Sequence, residues 1–394
     1  MKFIHLSDLH IGKRVNEFSM LEDQKYILAQ ILSVVAREQP DGVILAGDIY
    51  DKPIPPAEAV QVFDGFLTRL AEQNCPVFAV SGNHDSAERI AFGSSLMSGR
   101  GIYLSPVYDG TVRSVILKDA YGEAEIFLLP FIKPAVVRRV LELQEDAGQP
   151  ETAEVSEIRT YQDAVREAIA RIPLDPKKRN VLVAHQFVTG AMRCESEEIV
   201  VGGLDQVDAA LFDAFDYAAL GHVHSPQHVG REAVRYSGTP LKYSFSEAEQ
   251  EKSVTVVELG RKDGQETELQ IRTIPLKPLR DMRKIRGTYL EVTSRSFYQD
   301  TNTEDYVQVT LTDEEDIPDG LQKLRVIYPN LMRLEYDNRR TRENRLIDGA
   351  DVPEQKSELE LFAEFYELQN NREMSPAQEA FVKQLIQEVQ ERSR

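Results

Sequence analysis

Five short strings rich in Asp, His and Asn each follow an apolar run of strand length, and this arrangement constrains the fold most. In chain order the strings are Ser7–His10, Gly47–Asp51, Gly82–Asp85, Ala184–His185 and Gly221–His224. Short apolar runs that are bounded by Gly, Asn and Asp are typical of buried strands. The sequence therefore predicts five strands, each ending in a polar loop.

Helical periodicity separates the first three of these strands. Apolar residues recur at helical spacing over residues 27–35 and again over residues 60–70. Strands that alternate with helices predict an α/β domain. In such folds, ligands bind beyond the carboxyl ends of the strands. We therefore expect the five strings to converge on one site.

The side chains of these strings are typical metal ligands. They combine hard oxygen with borderline nitrogen and include no sulfur, which suits Mn²⁺, Fe²⁺ or Zn²⁺ better than an all-oxygen cage for Mg²⁺ or Ca²⁺. Seven candidates are too many for one ion, so two ions that share one carboxylate are predicted. Two such ions can clamp the attacking and leaving oxygens of a phosphoryl displacement. The candidate ligands are Asp8, His10, Asp48, Asn83, His185, His222 and His224.

Each string taken alone has a simpler interpretation. A single DxH or HxH occurs often by chance, a lone buried histidine is more often a core residue, and GNHD can be a turn. The five strings together, each at a strand end, are not explained in this way. His5, inside the first predicted strand on the same face as Phe3, and His228, beyond the last string, are interpreted as structural.

Composition limits the classes of function. The chain has 394 residues, which favours two or three domains. With 46 basic against 65 acidic residues, its net charge of −19 argues against a protein that coats nucleic acid but allows one local nucleic-acid site. We find no apolar run of membrane-spanning length and no secretory signal. Cys75 and Cys194 are far apart, so a reducing cytoplasm is expected.

The ordered series DxH, GDxxD, GNHD, H and GHxH resembles that of the calcineurin-like metallophosphoesterases. More narrowly, the chain is similar to their double-strand-break-repair nucleases. The strings that carry this likeness are FIHLSDLHIGK, GDIYDKPIPP, VSGNHD, GGLDQV and YSGTPLKYSFSE. The resemblance is specific over most of residues 1–260 and looser beyond.

The resemblance implies a role for each matching residue. Asp8, His10 and His224 would form one metal site. Asn83, His185 and His222 would form the second, and Asp48 would bridge the two ions. His84 would face the scissile phosphate without binding metal, and Asp85 would orient His84. Asp51 receives no role, because archaeal relatives have a histidine at that position.

The resemblance also implies an activity and partners. It implies double-strand exonuclease and single-strand endonuclease activity on DNA ends and hairpins, in recombination, replication and repair. The cofactor would be two divalent ions, Mn²⁺ in the first place and Mg²⁺ as the alternative. A homodimer formed through the catalytic domain is expected. No GxxxxGK[ST] string is present, so any ATP dependence would come from a partner ATPase.

Three domains are predicted. Residues 1–275 would form the α/β catalytic domain, a metallophosphoesterase β-sandwich flanked by helices. Residues 276–350 would form a small α+β capping domain that contacts DNA, and residues 351–394 a C-terminal helical hairpin. An acidic stretch from Glu142 to Glu157 is predicted to be an exposed loop.

Two basic islands stand out in the predicted capping domain. Residues 277–286 carry five basic residues against one acidic residue, and residues 339–345 carry four against one. They are interpreted either as contacts to the phosphate backbone or as a solvated surface with local ion pairs. The family resemblance favours DNA contact.

Residues 356–391 are predicted to form two helices that dock on the partner ATPase. In the first helix, Leu359, Phe362 and Tyr366 would face the second helix, whose apolar positions include Phe381 and Leu385. A second apolar stripe, formed by Leu361, Phe365 and Leu368, would remain for a partner groove. Ser375–Gln378 has the pattern of a capping box. The alternative is that both helices pack on their own domain.

Two other functions remain open. The chain could be a protein phosphatase or a nucleotide phosphodiesterase with the same chemistry, although the extra domains argue against a minimal enzyme for small substrates. It could also be a structural adaptor that holds an ATPase dimer on DNA. The complete set of candidate ligands argues against pure scaffolding.

Overall fold

The computed structural model describes residues 1–146, 157–197, 206–264, 266–339, 341, 359, 362–363, 365–366 and 374–392. The chain divides into two compact units, Met1–Arg283 and Lys284–Arg394. The predicted boundary near residue 350 lies outside the described residues, so the division into three domains stays a prediction.

The first unit contains sixteen described strands and six described α-helices. The strands are β1 (Lys2–Leu6), β2 (Arg14–Val15), β3 (Phe18–Ser19), β4 (Gly42–Ala46), β5 (Val77–Val80), β6 (Ile102–Leu104), β7 (Arg113–Asp119), β8 (Gly122–Leu129), β9 (Arg179–His185), β10 (Phe187–Val188), β11 (Gln206–Val207), β12 (Tyr217–Gly221), β13 (Gln227–Val229), β14 (Arg231–Tyr236), β15 (Ser253–Asp263) and β16 (Glu266–Pro275). The helices are α1 (Leu21–Glu38), α2 (Ala57–Glu72), α3 (Ala87–Ile90), α4 (Ser94–Met97), α5 (Pro134–Asp146) and α6 (Tyr161–Ala170), and short 3₁₀ turns cover Ser98–Arg100, Ala209–Phe212 and Phe245–Glu247.

Two six-stranded sheets form the framework of this unit. The first has the order β16-β15-β1-β4-β5-β6, in which β1, β4, β5 and β6 are parallel. The second has the order β13-β14-β12-β9-β8-β7, in which β14, β12, β9 and β8 are parallel. Because parallel strands need crossovers, helices connect them, as the alternating pattern predicted.

The two sheets pack face to face around a shared apolar layer. Phe3 and Phe78 of the first sheet belong to the same buried cluster as Val181 and Tyr217 of the second. A separate buried cluster includes Phe127 of the second sheet together with α5 and α6. This is a β-sandwich flanked by helices.

The predicted strands and helices of this unit are observed, with two local differences. Val60, placed on the apolar face of α2, is exposed, whereas Phe63 and Phe66 are buried as expected. The predicted acidic loop begins later than expected, because α5 continues to Asp146 and buries Val137 and Leu141 on one face. Residues 147–156 lie outside the described residues.

The second unit is a small α+β structure. A three-stranded sheet of order β17-β18-β19 is formed by β17 (Met282–Gly287), β18 (Tyr306–Leu311) and β19 (Leu331–Tyr336). The described helices are α7 (Tyr289–Val292), α8 (Arg295–Tyr298), α9 (Gly320–Arg325) and α10 (Pro376–Arg392). The predicted strand over residues 307–311 is thus β18. Val307, Leu324 and Tyr328 belong to the buried core of this sheet.

Helix α10 begins as the sequence predicts. The Ser375 backbone N–H and hydroxyl donate to the Gln378 side-chain oxygen, and the Gln378 N–H donates back to the Ser375 hydroxyl, which is a capping box. Its apolar face differs from the prediction. Val382 is buried, but Phe381 is 65% exposed and Leu385 is 49% exposed, so the expected packing of these two side chains is wrong. Within the described residues, no helix is long and apolar enough to cross a membrane.

Candidate metal centre

The five predicted strings meet at the carboxyl ends of five strands. Asp8, Asp48 and Asn83 lie just beyond β1, β4 and β5 of the first sheet. His185 is the last residue of β9, and His222 follows β12, both in the second sheet. The two sheets therefore contribute side chains to one site, as the positions at the strand ends predicted.

Four of the seven candidate ligands have an unusual backbone conformation. The φ angles are 53° at Asp8, 44° at His10, 49° at Asp48 and 105° at His222. A residue other than glycine in such a region costs about 1–3 kcal/mol, and this cost is concentrated at functional sites. The backbone here is arranged to direct side chains rather than to minimise local strain.

Three candidates lie together on one side of the site. Oxygen or ring nitrogen atoms of Asp8, His10 and His224 lie within 4.8 Å of one another. The Nε2 atoms of His10 and His224 are 3.2 Å apart, and both rings are buried. This is the group that the family resemblance implies for the first metal site.

Three other candidates meet at one oxygen atom. Asn83 Oδ1 lies 2.9 Å from His185 Nε2 and 2.9 Å from His222 Nδ1. The His185 ring is held by its other nitrogen, because Nδ1 donates to the Ala46 carbonyl oxygen at 2.8 Å. This is the group that the resemblance implies for the second site.

Asp48 lies between these two groups. Its Oδ2 atom is 3.3 Å from His185 Nε2 and 3.7 Å from His10 Nε2. Its Oδ1 atom accepts a hydrogen bond from the His84 backbone N–H at 2.8 Å. One carboxylate thus faces both groups, as a bridging ligand must.

Close approach at two glycines brings these groups together. A Cβ atom on Gly221 would lie 1.8 Å from the Ala46 carbonyl oxygen, and one on Gly47 would lie 2.3 Å from His185 Nδ1. Gly47 also has a φ of +85°, which other residues rarely adopt. Any side chain at either position would push β4 away from the second sheet.

Burial dominates the electrostatics of the site. It raises the pKa of Asp8 to about 8, and the negative charge of Asp48 adds to this rise. Burial lowers the pKa of His222 to about 3 and holds those of His10 and His224 well below their usual value.

The pair of Asp48 and His185 behaves differently. Burial alone would lower the pKa of His185, but the carboxylate of Asp48 outweighs it and raises that pKa to about 9. Burial would likewise raise the pKa of Asp48, but the charge of His185 holds it below its usual range. Without a metal ion, protons therefore provide the positive charge that the site requires.

The donor set fits divalent metal ions. It offers carboxylate oxygen, amide oxygen and imidazole nitrogen, which suit Mn²⁺ and its neighbours. Within the described part of the chain, no Lys or Arg forms an ion pair with Asp8 or Asp48. The buried ring atoms His10 Nδ1 and His222 Nε2 also have no hydrogen-bond partner. A buried acidic site without a resident basic partner favours a bound cation.

His84 borders the site with its ring held by the backbone. Its ring lies 4.8 Å from that of His10, centroid to centroid, and its Nδ1 donates to the Asp51 carbonyl oxygen at 3.1 Å. Ligand atoms of His10, Asp48 and His84 also lie within 4.8 Å of one another. Distance alone therefore does not separate His84 from the ligands.

The expected orientation of His84 by Asp85 is corrected in one respect. The Asp85 carboxylate accepts hydrogen bonds from the backbone N–H groups of Ile49, Tyr50 and Gly82. It therefore ties the loop after β5 to the loop after β4. It acts on His84 through the backbone of these loops rather than through the imidazole ring.

Several supporting residues were not predicted. Lys13 donates to Asp51 at 2.7 Å and lies 5.5 Å from the centre of the Tyr243 ring. Ser196 and Glu247 lie behind His224. The string YSGTPLKYSFSE contained Tyr243 and Glu247, so the family likeness indicated the region, but no local pattern indicated which candidate ligand these residues support.

Comparison with known proteins agrees with this geometry. A family model described as calcineurin-like phosphoesterase matches residues 1–226, and the SbcD C-terminal model, described as type 5 capsule protein repressor C-terminal domain, matches residues 278–370. The predicted α/β metallophosphoesterase fold is thereby confirmed.

Two curated relatives carry the same name, which is that of the D subunit of the SbcCD nuclease. The relative from Staphylococcus epidermidis is 31% identical over 397 residues, covering 100% of both chains. The relative from Staphylococcus saprophyticus is 32% identical over 338 residues, covering 85% of this chain and 84% of the relative.

A solved dimetal phosphatase from Danio rerio covers 68% of this chain and 98% of its own at 11% identity and a TM-score of 0.38, a likeness too low to bear on the site. The family match over more than half of the chain and the full-length match to a named nuclease subunit carry the assignment. The chain therefore belongs to the SbcD family of nuclease subunits within the calcineurin-like metallophosphoesterases.

Proposed function

We propose that this chain is a two-metal phosphodiesterase that cuts DNA and serves as the nuclease subunit of an SbcC–SbcD-type complex. One observation carries the proposal: seven metal-binding side chains from five strand ends and two sheets converge at one buried site. Such a set fits hydrolysis of a phosphate diester better than any structural role.

The residues divide into ligands and a neighbouring histidine. Asp8, His10 and His224 would hold one divalent ion, and Asn83, His185 and His222 the other, with Asp48 shared. Mn²⁺ is the preferred ion and Mg²⁺ the alternative. When bound, the ions supply Lewis-acid activation of water and of the phosphate.

His84 has a separate role in this proposal. Because its Nδ1 donates to the Asp51 carbonyl oxygen, its Nε2 remains free to face the substrate. It would stabilise the transition state or protonate the leaving oxygen. Asp85 would hold the loop that carries His84.

DNA is the proposed substrate and an SbcC-like ATPase the proposed partner. The name of the relatives, which describes one of the subunits of the SbcCD nuclease, supports both. The proposed activities are double-strand exonuclease and single-strand endonuclease, acting on DNA ends and hairpins in recombination, replication and repair. We further propose a homodimer formed through the catalytic domain, action in the cytoplasm, and docking of the ATPase on residues 356–391.

The first basic island is partly occupied by internal ion pairs. Arg280 pairs with Asp23 at 3.0 Å, and Arg286 pairs with Asp337. These two side chains favour the alternative of local ion pairs over DNA contact. Most of the second island lies outside the described residues, so its contact with DNA stays a proposal.

The test combines metal counting with cleavage. Purified chain saturated with Mn²⁺ is expected to hold two ions, to release nucleotides from linear duplex DNA, and to cut hairpins, with Mn²⁺ more effective than Mg²⁺. Adding the SbcC-like ATPase and ATP should stimulate cleavage. No more than one ion per chain would contradict the two-metal assignment. Hydrolysis of phosphoproteins or small nucleotides but not of DNA would favour the phosphatase or phosphodiesterase alternative.

The adaptor alternative requires a cellular measurement. A His84→Ala chain should fail to complement a strain that lacks the gene if cleavage is the function. Full complementation by this variant would favour the structural adaptor.

A further inference from the structure

The proposed ligand His224 is supported from behind by a buried polar chain. His224 Nδ1 lies 2.6 Å from the Ser196 hydroxyl, which in turn lies 2.6 Å from Glu247 Oε1. Glu247 Oε2 accepts a hydrogen bond from Lys252 Nζ at 2.6 Å. The Glu247 side chain is completely buried and that of Lys252 nearly so.

The direction of these hydrogen bonds is fixed by chemistry. A carboxylate only accepts, so the single hydroxyl hydrogen of Ser196 is donated to Glu247. The Ser196 oxygen must then accept, and His224 Nδ1 must carry the hydrogen that it receives. The imidazole is thereby held in the tautomer whose Nε2 has a free lone pair, and that Nε2 faces His10 Nε2 at 3.2 Å.

The same side chains also fix the backbone at this position. Lys252 Nζ donates to the His224 carbonyl oxygen at 3.0 Å. The neighbouring Glu197 accepts from the His224 backbone N–H at 2.8 Å. His224 is thus held at its ring, at its N–H and at its carbonyl oxygen.

A buried ion pair such as that of Glu247 and Lys252 does not by itself explain stability. Replacing such a pair with apolar side chains is often neutral or stabilising. Its placement directly behind a candidate ligand points instead to orientation of that ligand. Hydrogen-bond partners of this kind set the tautomer and ring position of metal-binding histidines.

We propose that Ser196, anchored by the buried pair of Glu247 and Lys252, is a positioning residue that presents His224 Nε2 to a metal ion. This inference rests on the proposed metal centre and adds to it a role for residues outside the ligand set. Ser196 does not touch substrate in this proposal; it acts through His224.

The test is Mn²⁺ binding by the full chain, measured by calorimetry, together with the melting temperature of the metal-free chain. Ser196→Ala is expected to weaken binding of one ion about 10–100-fold. Ser196→Thr keeps a hydroxyl and should restore affinity. Ser246→Ala is the matched control, because its hydroxyl accepts from the Glu195 backbone N–H instead and should leave both measurements unchanged.

Three results would overturn the proposal. Wild-type Mn²⁺ affinity in Ser196→Ala would remove the role of Ser196 alone and leave the metal centre intact. Equal loss of affinity in Ser196→Ala and Ser196→Thr, with the same fall in metal-free melting temperature, would show that the hydroxyl merely packs. A wild-type chain that binds no Mn²⁺ would overturn the metal centre itself, and this inference with it.

Discussion

His84 and Asp48 are hydrogen-bonded to each other, yet the geometry predicts different consequences when each is replaced. His84→Ala removes a ring whose Nε2 is free to face substrate, but it keeps the backbone N–H that binds Asp48. We expect cleavage to fall ~100-fold or more while metal and DNA binding persist. Cleavage of linear duplex DNA and metal content of the purified variant check this.

Asp48→Ala is the comparison for His84→Ala. Because one carboxylate faces both groups of ligands, this variant should lose metal as well as activity. A His84→Ala chain that also loses its metal, or that cuts DNA at the wild-type rate, would contradict the role given to His84.

His5 is a buried histidine outside the centre, and it predicts a dependence of stability on pH. Its Nδ1 lies 2.8 Å from the Tyr217 hydroxyl between the sheets, and burial, with the charge of Arg235, lowers its pKa from 6.5 to about 3. Below pH 6.5 the unfolded chain therefore takes up a proton that the folded chain refuses. The free energy of unfolding should fall by up to about 1.4 kcal/mol per pH unit as the pH drops below 6.5, until the folded histidine also titrates near pH 3.

A non-titrating side chain should remove this contribution. Denaturant unfolding of His5→Gln between pH 7.5 and 5 is expected to depend less on pH than that of the wild type. His228→Gln changes an exposed histidine and should keep the wild-type dependence. Equal pH dependence in all three chains would show that His5 does not act in this way.

At the scale of elements, the contact between β12 and β4 holds the two halves of the centre together. Gly221 ends β12, and its α-carbon lies so close to the Ala46 carbonyl oxygen that a Cβ atom would overlap it at 1.8 Å. Gly221→Ala must therefore separate the strands that carry Asp48 and His222. We expect a lower melting temperature and weaker Mn²⁺ binding, measured by thermal unfolding and calorimetry.

A glycine in open space is the control for this substitution. Gly65 lies on the exposed side of α2, with nothing within 4 Å of an added Cβ atom. Gly65→Ala should stabilise the chain by about 0.5–1 kcal/mol, because alanine is the better helix former. If Gly221→Ala instead matches the wild type in both measurements, the close contact of β12 and β4 is not required.

What could be predicted from sequence was local. The strands that carry Asp8, Asp48 and His185 were predicted because an apolar run and the polar residue after it are adjacent in the chain. The support of His224 could not be predicted in this way, since Ser196 and Glu247 are separated by 51 residues and only the packed sandwich brings them together. The same holds for Asp85, whose acceptor role depends on backbone groups 35 and 36 residues away.

At the scale of the whole molecule, the C-terminal segment remains the proposed contact with the ATPase. Phe365, in the stripe assigned to the partner, is 57% exposed, whereas Leu361 and Leu368 lie outside the described residues. A chain that ends near Val352 is expected to stay folded, bind two metal ions and cut single strands in Mn²⁺. It should fail to co-purify with the ATPase and lose any stimulation by ATP.

A full-length variant separates docking from folding. Phe365→Ser should weaken co-purification with the ATPase, whereas Glu379→Ser, an exposed change on α10, should not. If the truncated chain misfolds, or if it still binds the ATPase at full strength, the C-terminal helices belong to the protein's own core and the docking proposal fails.

The long sequence separation within the centre has a consequence for biosynthesis. Asp8 accepts a hydrogen bond from the backbone of His222, which is 214 residues later in the chain. A ribosome that adds about 5–20 residues per second needs roughly 10 to 40 s to cover that distance. During this interval the emerging polypeptide carries Asp8, His10 and Asp48 but neither of the last two histidines. An unfinished or prematurely terminated chain is therefore harmless to the chromosome, and cutting becomes possible only after most of the protein has been made.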